Sequence, residues 1–392
     1  MSVDAQFTQE DRALLIELRR DLHRNPELSW QETGTQERLE RALRDVGVAD
    51  VRRIARTGLV ARIPGTEAGA PTIAIRGDID ALPISEDTGL EYASENPGVM
   101  HACGHDVHAT WTVGAALLLA RHPAPGDVFV ILQPAEEVGE GANAVLESGA
   151  LDGVAAIFGA HVDRRFAVGE VVAQAGPVAA SADSFVVTIH GRGAHGARPH
   201  ESADPIVAAA ALVTSLQTIV SRRLEPSLPG VVTVGVFRAG SAPNVIPEHA
   251  ELQGTVRATT VESRALLCSE VERMANAVVA TFGCRATVHW AGGTPPLVNS
   301  VAATVVAAAA VTQVLGARAL RPLGITNMAG EDFAFYVERL PGCFLRIGAR
   351  EVGGETIAAH SPRFHAAEDA VFIGATVLAQ CAHLARTISL IA

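Results

Sequence analysis

The sequence predicts an α/β fold in two domains: a mostly parallel-sheet domain interrupted by an inserted ferredoxin-like unit of β-α-β-β-α-β order. Three observations carry this. The 392 residues exceed what one ordinary core organises. Short apolar runs alternate with helical patterns through the first half of the chain. A different pattern, with alternating strands, opens after the Gly176-Pro177 break.

In the first half, Glu10 to His23 and Thr35 to Val46 have helical spacing. The apolar runs Leu59–Ile63, Thr72–Ile75, Val128–Leu132 and Ala155–Phe158 then read as strands of a largely parallel sheet, with a helix over Ala109–Arg121. Polar residues follow these runs directly: Arg76, Asp78 and Asp80 after the second, Gln133, Glu136 and Glu137 after the third, His161 after the fourth. In open α/β sheets the ligand crevice lies beyond the carboxyl ends of the strands, so these three clusters are expected to converge.

After the break, Ser184–His190 alternates as a strand and Asp204–Arg222 reads as a helix. Strands Val231–Phe237 and Ala250–Arg257, helix Val261–Phe282 and strand Ala286–Trp290 complete the inserted unit. Gly292-Gly293-Thr294-Pro295-Pro296 returns the chain to the first domain, whose last helices are expected to run to Ala392. The expected limits are 1–178 with 293–392 for the first domain and 179–292 for the insertion.

Composition removes several function classes. The net charge of -12 opposes a nucleic-acid surface, which needs a basic face. The chain contains no lysine, so Walker-type phosphate loops, Schiff-base enzymes and protein kinases are excluded. Five scattered cysteines suggest no disulfide framework. The opening MSVDAQFTQEDRA is acidic and lacks the basic and apolar parts of a secretory signal, and the apolar stretches Pro205–Leu212 and Val301–Ala310 are too short for membrane spans. A cytoplasmic protein without membrane or nucleic-acid partners is expected.

The densest polar cluster is Met100-His101-Ala102-Cys103-Gly104-His105-Asp106-Val107-His108. Cys103 and His105 are borderline-soft metal ligands, although a polar turn before the next helix has the same composition. In Gln133-Pro134-Ala135-Glu136-Glu137 the adjacent acids point in different directions, so one can hold a metal while the other faces substrate; a solvated acidic loop is the alternative. His161 and His360 are single histidines that gain meaning only within the set. Cys103, His105, Glu137, His161 and His360 suffice for two divalent ions if one group bridges, and such a pair about 3.5–4 Å apart can polarise a carbonyl and activate water.

These segments resemble the metal-dependent aminoacylase and carboxypeptidase family, in the branch of hippurate hydrolases, auxin-conjugate amidohydrolases and N-acetyldiaminopimelate deacetylase. The matching pieces are RDLHRNPEL at 20–28, RGDIDALPI at 76–84, MHACGHDVHA at 100–109, QPAEEVGEGA at 133–142 and GAHV at 159–162. GRGAHGARPH at 191–200, APNVIPEHAELQGTVR at 242–257, GEDFAF at 330–335 and HSPRF at 360–364 continue the match in order.

The resemblance implies that Cys103, His105, Glu137, His161 and His360 hold two divalent ions (Zn, Mn, Co or Ni) and that Glu136 is the general base. It implies that His195 steadies the oxyanion across a dimer interface formed by the insertion, a dimerisation and lid domain. Asn244 and Arg257 fall near the substrate carboxylate, with Asp78, Asp80 and Asp106 as outer partners of the ligands. The Glu27 and Glu331 regions are expected to serve packing. The implied reaction is hydrolysis of N-acyl amino acids; a dipeptidase or carbamoylase on the same scaffold, or a non-catalytic binding relative, is the alternative. Gly191-Arg192-Gly193-Ala194-His195-Gly196 fits a dinucleotide fingerprint, but Pro199 and the polar residues after it delay the helix such a motif must open. No Gly-x-Ser-x-Gly elbow supports a serine hydrolase.

Overall fold

The computed structural model describes residues 3–387 and divides into two compact units. The first contains the chain up to Gly176, Val298–Ile325 and the chain from Asp332 onward; the second contains Pro177–Leu297 and Thr326–Glu331. The elements up to the first crossover are α1 (Gln9–Arg24), α2 (Thr33–Asp45), β1 (Asp50–Ile54), β2 (Gly58–Ile63), β3 (Ile73–Asp78), α3 (His105–Arg121), β4 (Val128–Gln133), α4 (Gly141–Glu147), β5 (Ala156–Ala167) and β6 (Val171–Val172). Next come β7 (Gly176–Ala179), β8 (Ala182–His190), β9 (Ala194–His195), α5 (Pro205–Arg222), β10 (Gly230–Ala239), β11 (Val245–Ile246), β12 (His249–Ala258), α6 (Val261–Ala280) and β13 (Arg285–Thr294). The chain ends through β14 (Leu297–Asn299), α7 (Val301–Leu315), α8 (Ala334–Val337), β15 (Gly342–Arg350) and α9 (Asp369–Leu384); the expected continuation over residues 388–392 lies outside the described residues.

The large sheet has the order β1-β2-β4-β3-β5-β15-β6. Its four central strands, β4, β3, β5 and β15, are parallel, and the remaining pairings are antiparallel. The run Leu59–Ile63 is therefore buried as expected but runs against its neighbours. An apolar run fixes burial and says nothing of direction. The reversal before it is made by Ala55 and Arg56, both left-handed (φ 45° and 63°), at positions where Asn-Gly would have advertised a hairpin.

Helix α3 explains its own composition. It packs on β3 and against α1 and α9, and every residue from His105 to Leu119 is buried, so it has no polar stripe. Close approach of α9 is possible because Gly374 lies on Trp111, where an added Cβ would stand 2.4 Å from the indole ring. The helix begins at His105, four residues before the expected Ala109, because the polar turn residues are themselves helical and buried.

In the second unit the antiparallel order β10-β12-β8-β13 is the ferredoxin-like arrangement, with α5 and α6 packed on the sheet. Strands β8 and β12 alternate, sending Phe185, Val187, Ile189, Leu252 and Val256 into the core beneath Leu212, Leu216 and Val271. Among the described residues α5 alone is long and apolar enough to cross a bilayer, yet Ala208, Leu212, Leu216 and Ile219 are buried in this core.

Candidate metal centre

Three of the polar clusters lie where the parallel strands end. Asp78 closes β3 and Asp80 is two residues beyond; Glu136 and Glu137 follow β4; His161 lies on β5 two residues past its last rung with β3. Cys103 and His105 enter from the N-terminus of α3, and His360 from the loop before α9. Gly104 makes the entry possible: its φ is 88°, and a Cβ there would lie 2.5 Å from Val162.

The side chains converge. Donor atoms of Cys103, His105 and His161 lie within 4.8 Å of one another, as do those of Cys103, Glu137 and His360, and those of His105, Glu136 and Glu137. Cys103 Sγ is 3.3 Å from His161 Nε2, and His360 Nε2 is 3.5 Å from Glu137. His105 Nε2 stands 3.9 Å from both Glu136 and Glu137.

Each buried ring is held from behind. His105 Nδ1 donates to the Asp80 carbonyl at 2.9 Å and faces the Asp80 carboxylate at 3.2 Å. The other Asp80 oxygen accepts from Ser29 and from the Glu137 backbone amide, so one carboxylate orients two of the convergent residues. His161 Nδ1 donates to the Val162 carbonyl at 2.6 Å. These bonds fix the tautomers and turn both Nε2 atoms toward the cluster. The loops are held under strain: Ala135 and His360 are left-handed, at φ 53° and 66°. Buried Glu32 stabilises the first by accepting from the Ala135 amide, and the His360 amide donates to the Ala102 carbonyl. Burial holds the Glu32 carboxyl above the usual range.

The donor set fits divalent ions. His105 Nε2 and Glu137 Oε1 are buried without a hydrogen-bond partner, which is costly for polar atoms unless a cation takes them. Burial alone pushes His105 down, but the Asp78 charge and the Asp80 hydrogen bond hold it well above its ordinary value. Burial and the Glu137 charge push the Cys103 thiol up to about 12. The Asp78 and Glu137 charges acting on these two groups are ones a divalent cation neutralises. Burial, with the charges of His108 and Arg346, holds His161 well below its ordinary value.

Asp78 and Asp106 make their hydrogen bonds to residues outside the five, although Asp78 lies within 4.8 Å of the His105 donor atom. Asp78 accepts from His108 Nδ1 at 2.6 Å and pairs with Arg76; its nearest approach to His105 Nε2 is 3.8 Å. His108 Nε2 in turn accepts from the Val162 amide, pinning the residue beside His161. Beneath the strand ends, Arg76, Gln133, Asp332 and Tyr336 are joined by buried hydrogen bonds. Asp106 lies against Arg19 at 2.9 Å and His23 at 2.7 Å. Burial lowers His23, yet Asp106 and Glu86 hold it above its ordinary value. Glu27 caps α2 by accepting from the Gly34 and Thr35 amides, and Glu331 is buried. The sequence placed Arg76 at a strand end and His108 in the polar cluster without assigning either a partner, and gave Arg346 no role. A histidine on an all-buried helix and an arginine inside an apolar strand were the available signals.

In the second unit His195 lies on β9, paired with Val245 of β11, and is exposed. Its Nδ1 accepts from the Ala197 amide at 3.1 Å, which leaves Nε2–H as a donor. Asn244 is exposed just before β11, and Arg257 is half-buried on β12.

Comparison with known proteins agrees with this architecture. The model of Peptidase family M20/M25/M40 matches residues 74–384. An N-acetyl-L-cysteine deacetylase of Bacillus subtilis (strain 168) is 43% identical over 337 residues, covering 85% of this chain and 80% of that protein. An IAA-amino acid hydrolase of Arabidopsis thaliana is 38% identical over 378 residues, covering 94% and 84%. A Bacillus subtilis crystal structure, described as a dinuclear metal-binding peptidase of the M20 family, aligns with a TM-score of 0.84 and 37% identity, covering 95% of this chain and 97% of that one. With most of its length matched by the family model and by these relatives, the chain belongs to Peptidase family M20/M25/M40.

Proposed function

We propose that the protein is a metal-dependent amidohydrolase that cleaves N-acyl amino acids to a carboxylic acid and a free amino acid. The observation that carries this is the convergence of Cys103, His105, Glu137, His161 and His360, with inward-facing atoms lacking partners, beside a second carboxylate at Glu136. The five would hold two divalent ions, and Zn, Mn, Co and Ni all suit these donors. Bound there, the ions supply Lewis acidity toward the amide carbonyl and acidify a water. Glu136 takes the proton of the attacking water and delivers it to the departing amine. His195 donates its Nε2–H to the developing oxyanion. Arg257 and Asn244 are candidates for binding a carboxylate of the amino acid.

The relatives' names support this substrate class: one is a deacetylase of an N-acetyl amino acid, another a hydrolase of an amino acid conjugate. A homodimer through the inserted unit is part of the proposal. Its support is the edge strand β10 with exposed Phe237, and Ile206 and Val207 exposed on α5. The acidic, lysine-free chain suits a cytoplasmic small-molecule enzyme.

The test is amine release from N-acetyl, N-benzoyl and indoleacetyl amino acids after chelation and restoration of single metals, with Glu136→Gln alongside. Metal-dependent release, lowered on the order of 10²–10⁴-fold in the variant while its metal content is unchanged, is expected. Full activity in Glu136→Gln, or release that survives complete metal removal, would overturn the assignment.

A further inference from the structure

Arg346 is the exception among the buried arginines. It sits mid-strand on β15, 6% exposed, with Nε sealed from solvent and unbonded. Among the described residues its guanidinium makes no hydrogen bond and no ion pair. Its neighbour is the Phe344 ring, whose centroid lies 5.3 Å from Cζ. By contrast, Arg76 is paired with Asp78 and Asp332, Arg19 with Asp106, and Arg164 with Glu351 and three backbone carbonyls. A guanidinium cannot shed its proton, and a buried charge without a counter-charge is strongly disfavoured.

Its place says which anion would complete it. Arg346 is the direct partner of His161 in the parallel register of β15 and β5, so the two side chains leave the same face of the sheet. Phe344 shares that face, its ring 6.5 Å from the His161 imidazole. The unpaired cation therefore borders the metal centre from one strand away, about 4.8 Å between backbones. In an N-acyl amino acid the carboxylate carbon lies within about 4 Å of the scissile carbonyl carbon, by ordinary bond lengths.

We propose that Arg346 is a substrate-binding residue that takes a carboxylate of the amino-acid part of the substrate, its planar fork backed by Phe344 and facing the anion bidentately. This rests on the amidohydrolase reading above. The carboxylate has two sources, the main chain of any amino acid or the side chain of an acidic one, and both present the same chemistry.

Wild type, Arg346→Met and Arg346→Lys are compared in hydrolysis of N-acetyl-L-alanine and N-acetyl-L-aspartate by the metal-loaded enzyme. Arg346→Met is expected to raise KM at least tenfold with kcat within about twofold, and Arg346→Lys to fall between. Equal losses on both substrates assign the main-chain carboxylate; a loss confined to aspartate assigns the side chain. Unchanged KM on both, or a kcat loss shared by Met and Lys variants, overturns the proposal. Since the Met variant removes an uncompensated charge, its ligand-free Tm is expected at or above that of wild type; a fall of several degrees would mark a structural role instead. Calorimetric binding of N-acetyl-L-alanine to Glu136→Gln, with and without Arg346→Met, separates the two readings. Absent hydrolysis by wild type would sink the amidohydrolase reading, equal binding by both proteins would sink the Arg346 assignment, and binding by neither would sink both.

Discussion

His105 opens a 17-residue helix and His195 closes a two-residue strand, and the two histidines are held in opposite ways. His105 is buried at the head of an all-buried helix, with its Nδ1 fixed by Asp80, which is itself fixed by Ser29 and the Glu137 amide. His195 is exposed on a two-residue strand, and its Nδ1 is held by the amide two residues on. The first region is a mould set by buried parallel strands; the second is a two-stranded antiparallel ribbon, β9 with β11, separate from the four-stranded sheet. On the proposed roles, groups that must meet atom-to-atom geometry belong in the mould, while a single hydrogen-bond donor can be carried on the ribbon.

That contrast can be broken by substitution. His195→Ala is expected to lower kcat about 10²–10³-fold, as for loss of an oxyanion donor, without changing metal content. Loss of metal on this change would mean that the ribbon belongs to the mould. Asp80→Ala acts on the other side: metal affinity should weaken about 10–100-fold, read by competition with a chelating dye, since an outer partner of a histidine ligand is removed. Unchanged affinity would separate Asp80 from the centre.

The smallest expected effect lies at the foundation of the mould. Asp11 closes the N-terminal box of α1 with Thr8 and pairs with Arg121 of α3. The Arg121 hydrogen bond leads in lowering its pKa from 3.8 to about 2. A depressed folded-state pKa gives stability that is complete above the ordinary value and is lost as pH falls through the folded one. Asp11→Asn should therefore cost about 1 kcal/mol or less at neutral pH, since Arg121 is solvent-exposed, and the gap should close between pH 4 and pH 2 in urea titrations. A gap that persists below pH 2 would remove the ion pair from the explanation.

Much of the mould was legible because its logic is one-dimensional: apolar runs followed at once by Asp78, Asp80, Glu136, Glu137 and His161. What stayed hidden depends on partners distant in sequence. Asp106 could not be separated from the ligand cluster by adjacency, since its partners Arg19 and His23 lie on another helix. His108 looked like a turn residue until its two nitrogens met Asp78 and Val162. The β1–β2 reversal was masked by Ala55 and Arg56 standing in left-handed conformations without glycine or asparagine. Arg346 was passed over inside the apolar stretch Cys343–Ile347, where a single charge in a strand buried on both faces was itself the signal.

In the proposed enzyme, five convergent side chains hold two divalent ions on which turnover depends. Metal titration of the chelated protein, following bound metal per chain and amine release from an N-acetyl amino acid together, tests it most directly. Binding is expected to saturate at two ions per chain with activity rising alongside, both impaired in Cys103→Ala. Full activity in the metal-free protein, or saturation unaffected by Cys103→Ala, would contradict it.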